Sequence, residues 1–200
     1  MKSLTYYKEE LKPVARSHYQ RKEYDLAFRD YKVLLDLDKN DVDAHFHLAL
    51  IFARQDDWDE AEFHFGKALD LKGKVPWILQ GYANAKMRAN RLGEAENLLL
   101  EAEGINPLHT ATLIDLGRLM EKRNDPGSAV DYYRRAVDSD PDNSFGYYLL
   151  AKLLYHQNEI DEAYQFAKAA MATNPLDSRN KALVEDLKNK IGNEADEPSR

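Results

Sequence analysis

The chain has 200 residues, no cysteine, and 28 Lys and Arg against 35 Asp and Glu, a formal charge of −7. The absence of cysteine excludes a disulfide framework, a thiolate zinc site and a cysteine nucleophile, and the acidic balance argues against nucleic-acid binding. No apolar run approaches the ~20 residues that would span a bilayer, so no direct membrane insertion is expected.

At the N-terminus, residues 1–7 read as an extension without the apolar stretch of a signal peptide. The expected compartment is therefore cytoplasmic, or periplasmic or membrane-anchored if a leader or anchor precedes this sequence. A helix running from Leu4 to Gln20 would carry Pro13 in its interior. The expectation is a kink near Lys12, or a separate helical segment over about 4–11.

From Lys8 onward the chain repeats every 34 residues without insertion, in blocks 8–41, 42–75, 76–109, 110–143 and 144–177. Column 8 of the blocks holds Ala15, Ala49, Ala83, Gly117 and Ala151, and column 20 holds Ala27, Ala61, Ala95, Ala129 and Ala163. Column 27 holds Leu34, Ala68, Ala102, Ala136 and Ala170. Two helices can cross closely only where both present small side chains, so each block reads as a helical hairpin. Large residues in columns 7, 17 and 24 fill the space beside the crossing. Column 15 (Lys22, Asp56, Asn90, Asn124, Asn158) is the turn, where Asn and Asp tolerate the left-handed conformation. Column 18, with Asp25, Asp59 and Asp161, reads as the opening of the second helix. Column 32 (Lys39, Gly73, Pro107, Pro141, Pro175) stops it. Each helix is too short to be stable alone, so stability must come from stacking neighbouring hairpins.

After the last block, 178–191 reads as a capping helix with Ala182, Leu183, Leu187 and Ile191 along one stripe and Ser178 as N-cap. The polar, proline-bearing stretch 192–200 reads as a disordered tail.

These columns resemble the tetratricopeptide repeat (TPR) family, as in Ala44-His45-Phe46-His47-Leu48-Ala49 with Trp58-Asp59-Glu60-Ala61, and in Ala129–Ala136. The first block departs from the pattern at Leu34 and Lys39, and Lys86 in column 11 and Ala167 in column 24 also depart. The resemblance implies an all-α fold, a right-handed superhelical α-solenoid of five repeats, whose first helices line a concave groove. It implies groove positions at Lys12, Arg16, Tyr19, Phe46, Arg54, Trp77, Asn84, Arg88, Arg118, Lys122, Tyr148, Lys152 and His156. Basic and aromatic residues alternate there, the composition of a protein interface core. The implied function is a non-enzymatic adaptor or chaperone for a peptide or partner protein carrying acidic groups and apolar anchors. The alternative is a self-associating scaffold that organises a multiprotein assembly. The family's carboxylate-clamp pattern is rejected, because of its five positions in blocks one to three only Lys12 fits.

No chemistry competes with that reading. The histidines His18, His45, His47, His64, His109 and His156 form no metal motif, and no phosphate-binding glycine loop occurs, so neither metal nor cofactor is expected. His45 and His64 could meet across a hairpin as packed core residues. The acidic clusters 56–60 and 138–142 fall at turns and helix starts and read as solvated caps.

Overall fold

A computed structural model describes residues 4–196, with side chains over 6–192. Among the described residues the fold is all-α and divides into two compact units, Met1–Ile105 and Asn106–Arg200. The first contains α1 (Leu4–Gln20), α2 (Tyr24–Leu37), α3 (Val42–Arg54), α4 (Trp58–Lys72), α5 (Pro76–Arg88) and α6 (Leu92–Ile105). The second contains α7 (Thr110–Lys122), α8 (Pro126–Ser139), α9 (Ser144–His156), α10 (Ile160–Thr173) and α11 (Ser178–Asp196). Helices pair as hairpins, α1 with α2 through α9 with α10, and α11 packs on α10.

The small columns are where the helices meet. Ala15, Ala49, Ala83 and Ala151 are 0% exposed, and so is every residue of columns 20 and 27. At Gly117 a Cβ would stand 2.4 Å from the Tyr133 ring, so here only glycine fits the crossing. The Tyr133 hydroxyl in turn donates to the Glu121 carboxylate.

Each hairpin turns the same way. Lys22, Asp56, Asn90, Asn124 and Asn158 have φ of 64°, 60°, 59°, 57° and 66°. One residue later the backbone N–H reaches back to the carbonyl five residues before it: Glu23 to His18, Asp57 to Phe52, Arg91 to Lys86, Asp125 to Met120 and Glu159 to Leu154. This is a Schellman closure, made five times with a left-handed residue at its centre. The second helices begin at column 17 rather than 18, and Asp57 and Asp125 in column 16 accept from the N–H of Glu60 and Ser128. The cap is the side chain that reaches two or three residues forward, which places it before the acidic first turn. Pro107, Pro141 and Pro175 each follow the end of a second helix by two residues.

Two end regions differ from the sequence reading. First, α1 is one helix with Pro13 inside it, with no separate segment over 4–11. The proline deletes a single backbone donor, and side chains on both sides of it hold the helix down. Lys8, Lys12 and Arg16, four residues apart, share one face. Lys8 pairs with Asp38 and Asp41, Lys12 with Asp41 at 3.1 Å, and Arg16 with Asp43 at 3.0 Å. Second, α11 runs on through Gly192 to Asp196. A glycine costs a helix only about 1 kcal/mol and does not stop it. Residues 192–196 of the expected tail are thus helical, and 197–200, like residues 1–3 of the expected extension, lie outside the described residues. On α11, Asn180, Leu183 and Leu187 are buried while Ala182 is exposed. No described helix is long and apolar enough to cross a membrane.

Candidate functional site

In the first unit, the first helices α1, α3 and α5 carry a chain of touching rings. Tyr19 meets His47 edge-on at 5.0 Å, His47 meets Phe46 at 5.4 Å, and Phe46 meets Trp77 at 4.8 Å. Beneath them Tyr31 stacks on His47 at 4.7 Å, and Phe65 stacks on Tyr82 at 4.3 Å. Phe46 reaches Trp77 because Gly81 leaves room: a Cβ there would sit 2.3 Å from the Phe46 ring. Trp77 keeps 40% of its surface exposed, while Phe46 and Tyr19 are half-buried.

The basic residues expected in the groove fall into two groups. Lys12 and Arg16 are tied to Asp41 and Asp43, so their charge holds α1 in place. Arg54 and Arg88 are exposed and meet no carboxylate among the described residues. The Arg54 guanidinium lies 4.2 Å over the Tyr24 ring, which itself packs edge-on against Tyr19 at 5.5 Å. Burial raises the Tyr19 phenol above its usual pKa, and the charges of Arg54 and Arg88 pull the other way. Both guanidinium groups therefore act on the Tyr19 hydroxyl. Burial also pushes the His47 imidazole below its usual value, against the pull of Asp43. Its Nδ1 donates to the Asp43 carbonyl at 2.9 Å, which fixes the tautomer. Asn84 is half-buried on α5 and takes part in side-chain interactions of its own.

In the second unit, Arg118 leans on the buried Asp115 at 3.4 Å, and Lys122, Lys152 and His156 are exposed. Tyr148 stacks on Phe145 at 6.4 Å, and the Arg179 guanidinium lies over both rings, at 5.5 Å and 5.7 Å. Asp177 anchors Arg179 at 2.6 Å, so that cation is already placed against the Tyr148 face.

A second cluster was not expected as a site. Lys86 is 1% exposed, its ammonium 2.5 Å from Glu62 and 2.9 Å from Glu94. It lies 5.0 Å from both the Trp58 and Tyr82 rings, and Arg91 covers Trp58 at 5.1 Å while pairing with the same two glutamates. Burial lowers the Lys86 pKa, but the two carboxylates outweigh it and the net direction is upward, so the ammonium stays charged. Its only trace in the sequence is a lysine in column 11, where the other blocks hold His18, Phe52, Met120 and Leu154. The cluster binds the second hairpin to the third. No group of three or more metal-ligating side chains occurs among the described residues.

Comparison with known proteins agrees with this architecture. The tetratricopeptide repeat family matches residues 52–111 and 119–187, and related repeat descriptions match 15–56 and 82–144. The chain belongs to the tetratricopeptide repeat family, whose fold serves protein–protein interaction. It is 25% identical over 134 residues to the type IV pilus assembly protein PilF of Pseudomonas aeruginosa, a stretch that covers 66% of this chain. That stretch is 53% of the relative, so the chain matches about half its length. A solved structure of Pseudomonas aeruginosa PilF superimposes with a TM-score of 0.76 at 21% identity, over 97% of this chain and 88% of that one. PilW, described as a widely conserved type IV pilus biogenesis factor, gives 0.73 at 19% identity over 94% and 87%. At such identities the superpositions speak for the fold alone.

Proposed function

We propose that the chain is a non-enzymatic adaptor whose first-helix face in the unit Met1–Ile105 binds an extended or helical peptide of a partner protein. The observation that carries this reading is the ring chain Tyr19–His47–Phe46–Trp77, with Arg54 and Arg88 on the same helices meeting no carboxylate among the described residues. Exposed Trp77 offers an apolar anchor surface, and Arg54 and Arg88 offer charge to acidic side chains of the peptide. Aromatic and Arg residues are the types that dominate binding energy at interfaces. On the second unit, Lys122, Lys152 and His156 provide further exposed positive or neutral polar contacts for the same class of ligand. The test is capture of partners from the cell of origin by the wild-type chain and by Arg54→Glu/Arg88→Glu, with helicity checked by circular dichroism. Loss of capture at unchanged helicity supports the adaptor. Equal capture by both rejects this face.

A second reading is a scaffold within a multiprotein assembly, and the sequence similarity to a type IV pilus assembly protein favours it. Self-association measured by light scattering across a concentration series separates the two. A strict monomer rejects the self-associating form of the scaffold and leaves the adaptor.

A further inference from the structure

A different site lies where α2, α3 and α4 meet. His45 and His64 face each other there with their Nδ1 atoms 2.8 Å apart, 6% and 4% exposed. The protons on this pair can be assigned from its neighbours. His45 Nε2 stands 3.0 Å from the Lys39 carbonyl, which can only accept, so His45 carries its proton on Nε2. Its Nδ1 is then a lone pair, and the short Nδ1–Nδ1 contact requires His64 to donate from Nδ1. His64 Nε2 is left as a bare acceptor. The Glu60 carboxylate, another acceptor, stands 3.9 Å from it. No described residue donates to this nitrogen. Phe52 stacks on the His64 ring at 5.5 Å and fixes its plane. Burial first, then His45 and Lys32, hold the His64 pKa down to about 4, which keeps the ring neutral at neutral pH.

His64 and Glu60 line a cleft of about 450 Å³ together with Phe63, Lys32, Lys39, Lys67 and Asp36. Phe63 is 55% exposed, stands edge-on to His64 at 5.2 Å, and has the Lys67 ammonium 5.7 Å from its ring. The inner end of the cleft therefore asks for a hydrogen-bond donor. A cation would meet three lysines. A fully deprotonated anion has no proton to give to Nε2, and a protonated one such as hydrogen phosphate would leave Phe63 uncovered. A small aliphatic hydroxyl would leave Phe63 uncovered. A phenol satisfies each demand: it donates its O–H, lays its ring against Phe63, and turns its π-face to the lysine ammonium groups.

We propose that this cleft receives the tyrosine side chain of a partner protein, its hydroxyl donating to His64 Nε2 and its ring resting on Phe63. The site is independent of the first-helix face.

The test is ¹⁵N-imidazole NMR of the intact chain at neutral pH. The free protein is expected to show His64 with an unprotonated Nε2. Adding the blocked peptide acetyl-Gly-Tyr-Gly-amide should shift that resonance saturably, in the millimolar range. The Phe counterpart and inorganic phosphate should not. Phe63→Ala, at an exposed position that does not threaten folding, should weaken the Tyr peptide about two- to tenfold. The proposal is overturned if His64 carries its proton on Nε2, if the Tyr peptide leaves the resonance unmoved, if the Phe peptide moves it equally, or if phosphate moves it more. Free p-cresol that shifts the resonance while the Tyr peptide does not would also overturn it, since a small phenol rather than a protein side chain would then be the ligand.

Discussion

At the scale of single residues, the five turns show how directly a local physical demand can be read. Column 15 requires positive φ, and four of its five occupants are Asn or Asp; the fifth is Lys22 at φ 64°. A lysine gains no local hydrogen bond there and carries the Cβ strain of the left-handed region, about 1 kcal/mol. Lys22→Asn is expected to stabilise the protein by roughly that amount in chemical denaturation. Gly117 predicts the opposite sign. Gly117→Ala forces a Cβ into the Tyr133 ring and should cost about 1–3 kcal/mol, whereas Gly93→Ala, with nothing within 4 Å of the new Cβ, should cost nothing. Column 8 announced that a small residue was needed at position 117. Nothing in it said that alanine, sufficient in the other four repeats, is too large at this one, because that depends on where one tyrosine ring comes to rest. His64 adds a pH signature. Its folded pKa lies near 4, below the ordinary histidine value of 6.5, so the unfolded chain binds the proton more tightly. Its contribution is complete above pH 6.5 and is lost as pH falls from 6.5 towards 4, by up to about 3 kcal/mol. Thermal melts across that range should show the loss, and His64→Phe should flatten it.

At the scale of elements, hairpin boundaries were legible because small columns and left-handed turns are local signals repeated five times, with a proline after the second helix in three of the five. What escaped was charge pairing between elements. Pro13 argued for a kink or a break, yet α1 continues as one helix, and the reason lies 25 to 30 residues away in Asp38, Asp41 and Asp43. Lys12 and Arg16 were expected to face a ligand for the same reason of position, and they face these aspartates instead. Likewise Lys86 departed from the repeat pattern, and a lysine in a core column is costly unless contacts offset its burial. Glu62, Glu94, Trp58 and Tyr82 provide those contacts. Removing one side of such a buried pair is more harmful than replacing the lysine by an apolar group of similar length. Glu62→Ala/Glu94→Ala should therefore destabilise the protein by about 3–5 kcal/mol, while Lys86→Met should cost less. Paired urea titrations of the two variants check the order, and the reverse order would show that the carboxylates contribute little to holding Lys86.

At the scale of the whole molecule, the repeat period gave the fold class and its family, and the family gives protein–protein interaction. It does not give the ligand, because fold and function are set by different residues. Function depends on which cations on the first-helix face remain open after the chain has paired its own charges, and that division is invisible in the columns. Lys12 and Arg54 both stood among the expected contacts, and they now predict different outcomes. Reversing Arg54 and Arg88 to Glu should weaken binding of a captured partner tenfold or more, about 1 kcal/mol or somewhat above for each charge, and leave the melting temperature nearly unchanged. Lys12→Glu should do the reverse. It sets a carboxylate beside the nearly buried Asp41, so it should lower the melting temperature by several degrees, while affinity per folded molecule stays close to wild type. Raising salt should weaken partner binding in the wild type and have less effect on the Arg54→Glu/Arg88→Glu protein, since the screened charges are those two arginines. Surface plasmon resonance at two salt concentrations, beside calorimetric melts of all three proteins, measures both quantities. If Lys12→Glu lost affinity at unchanged stability, the ion pairs of α1 would not be holding it, and the ligand would lie along α1 instead.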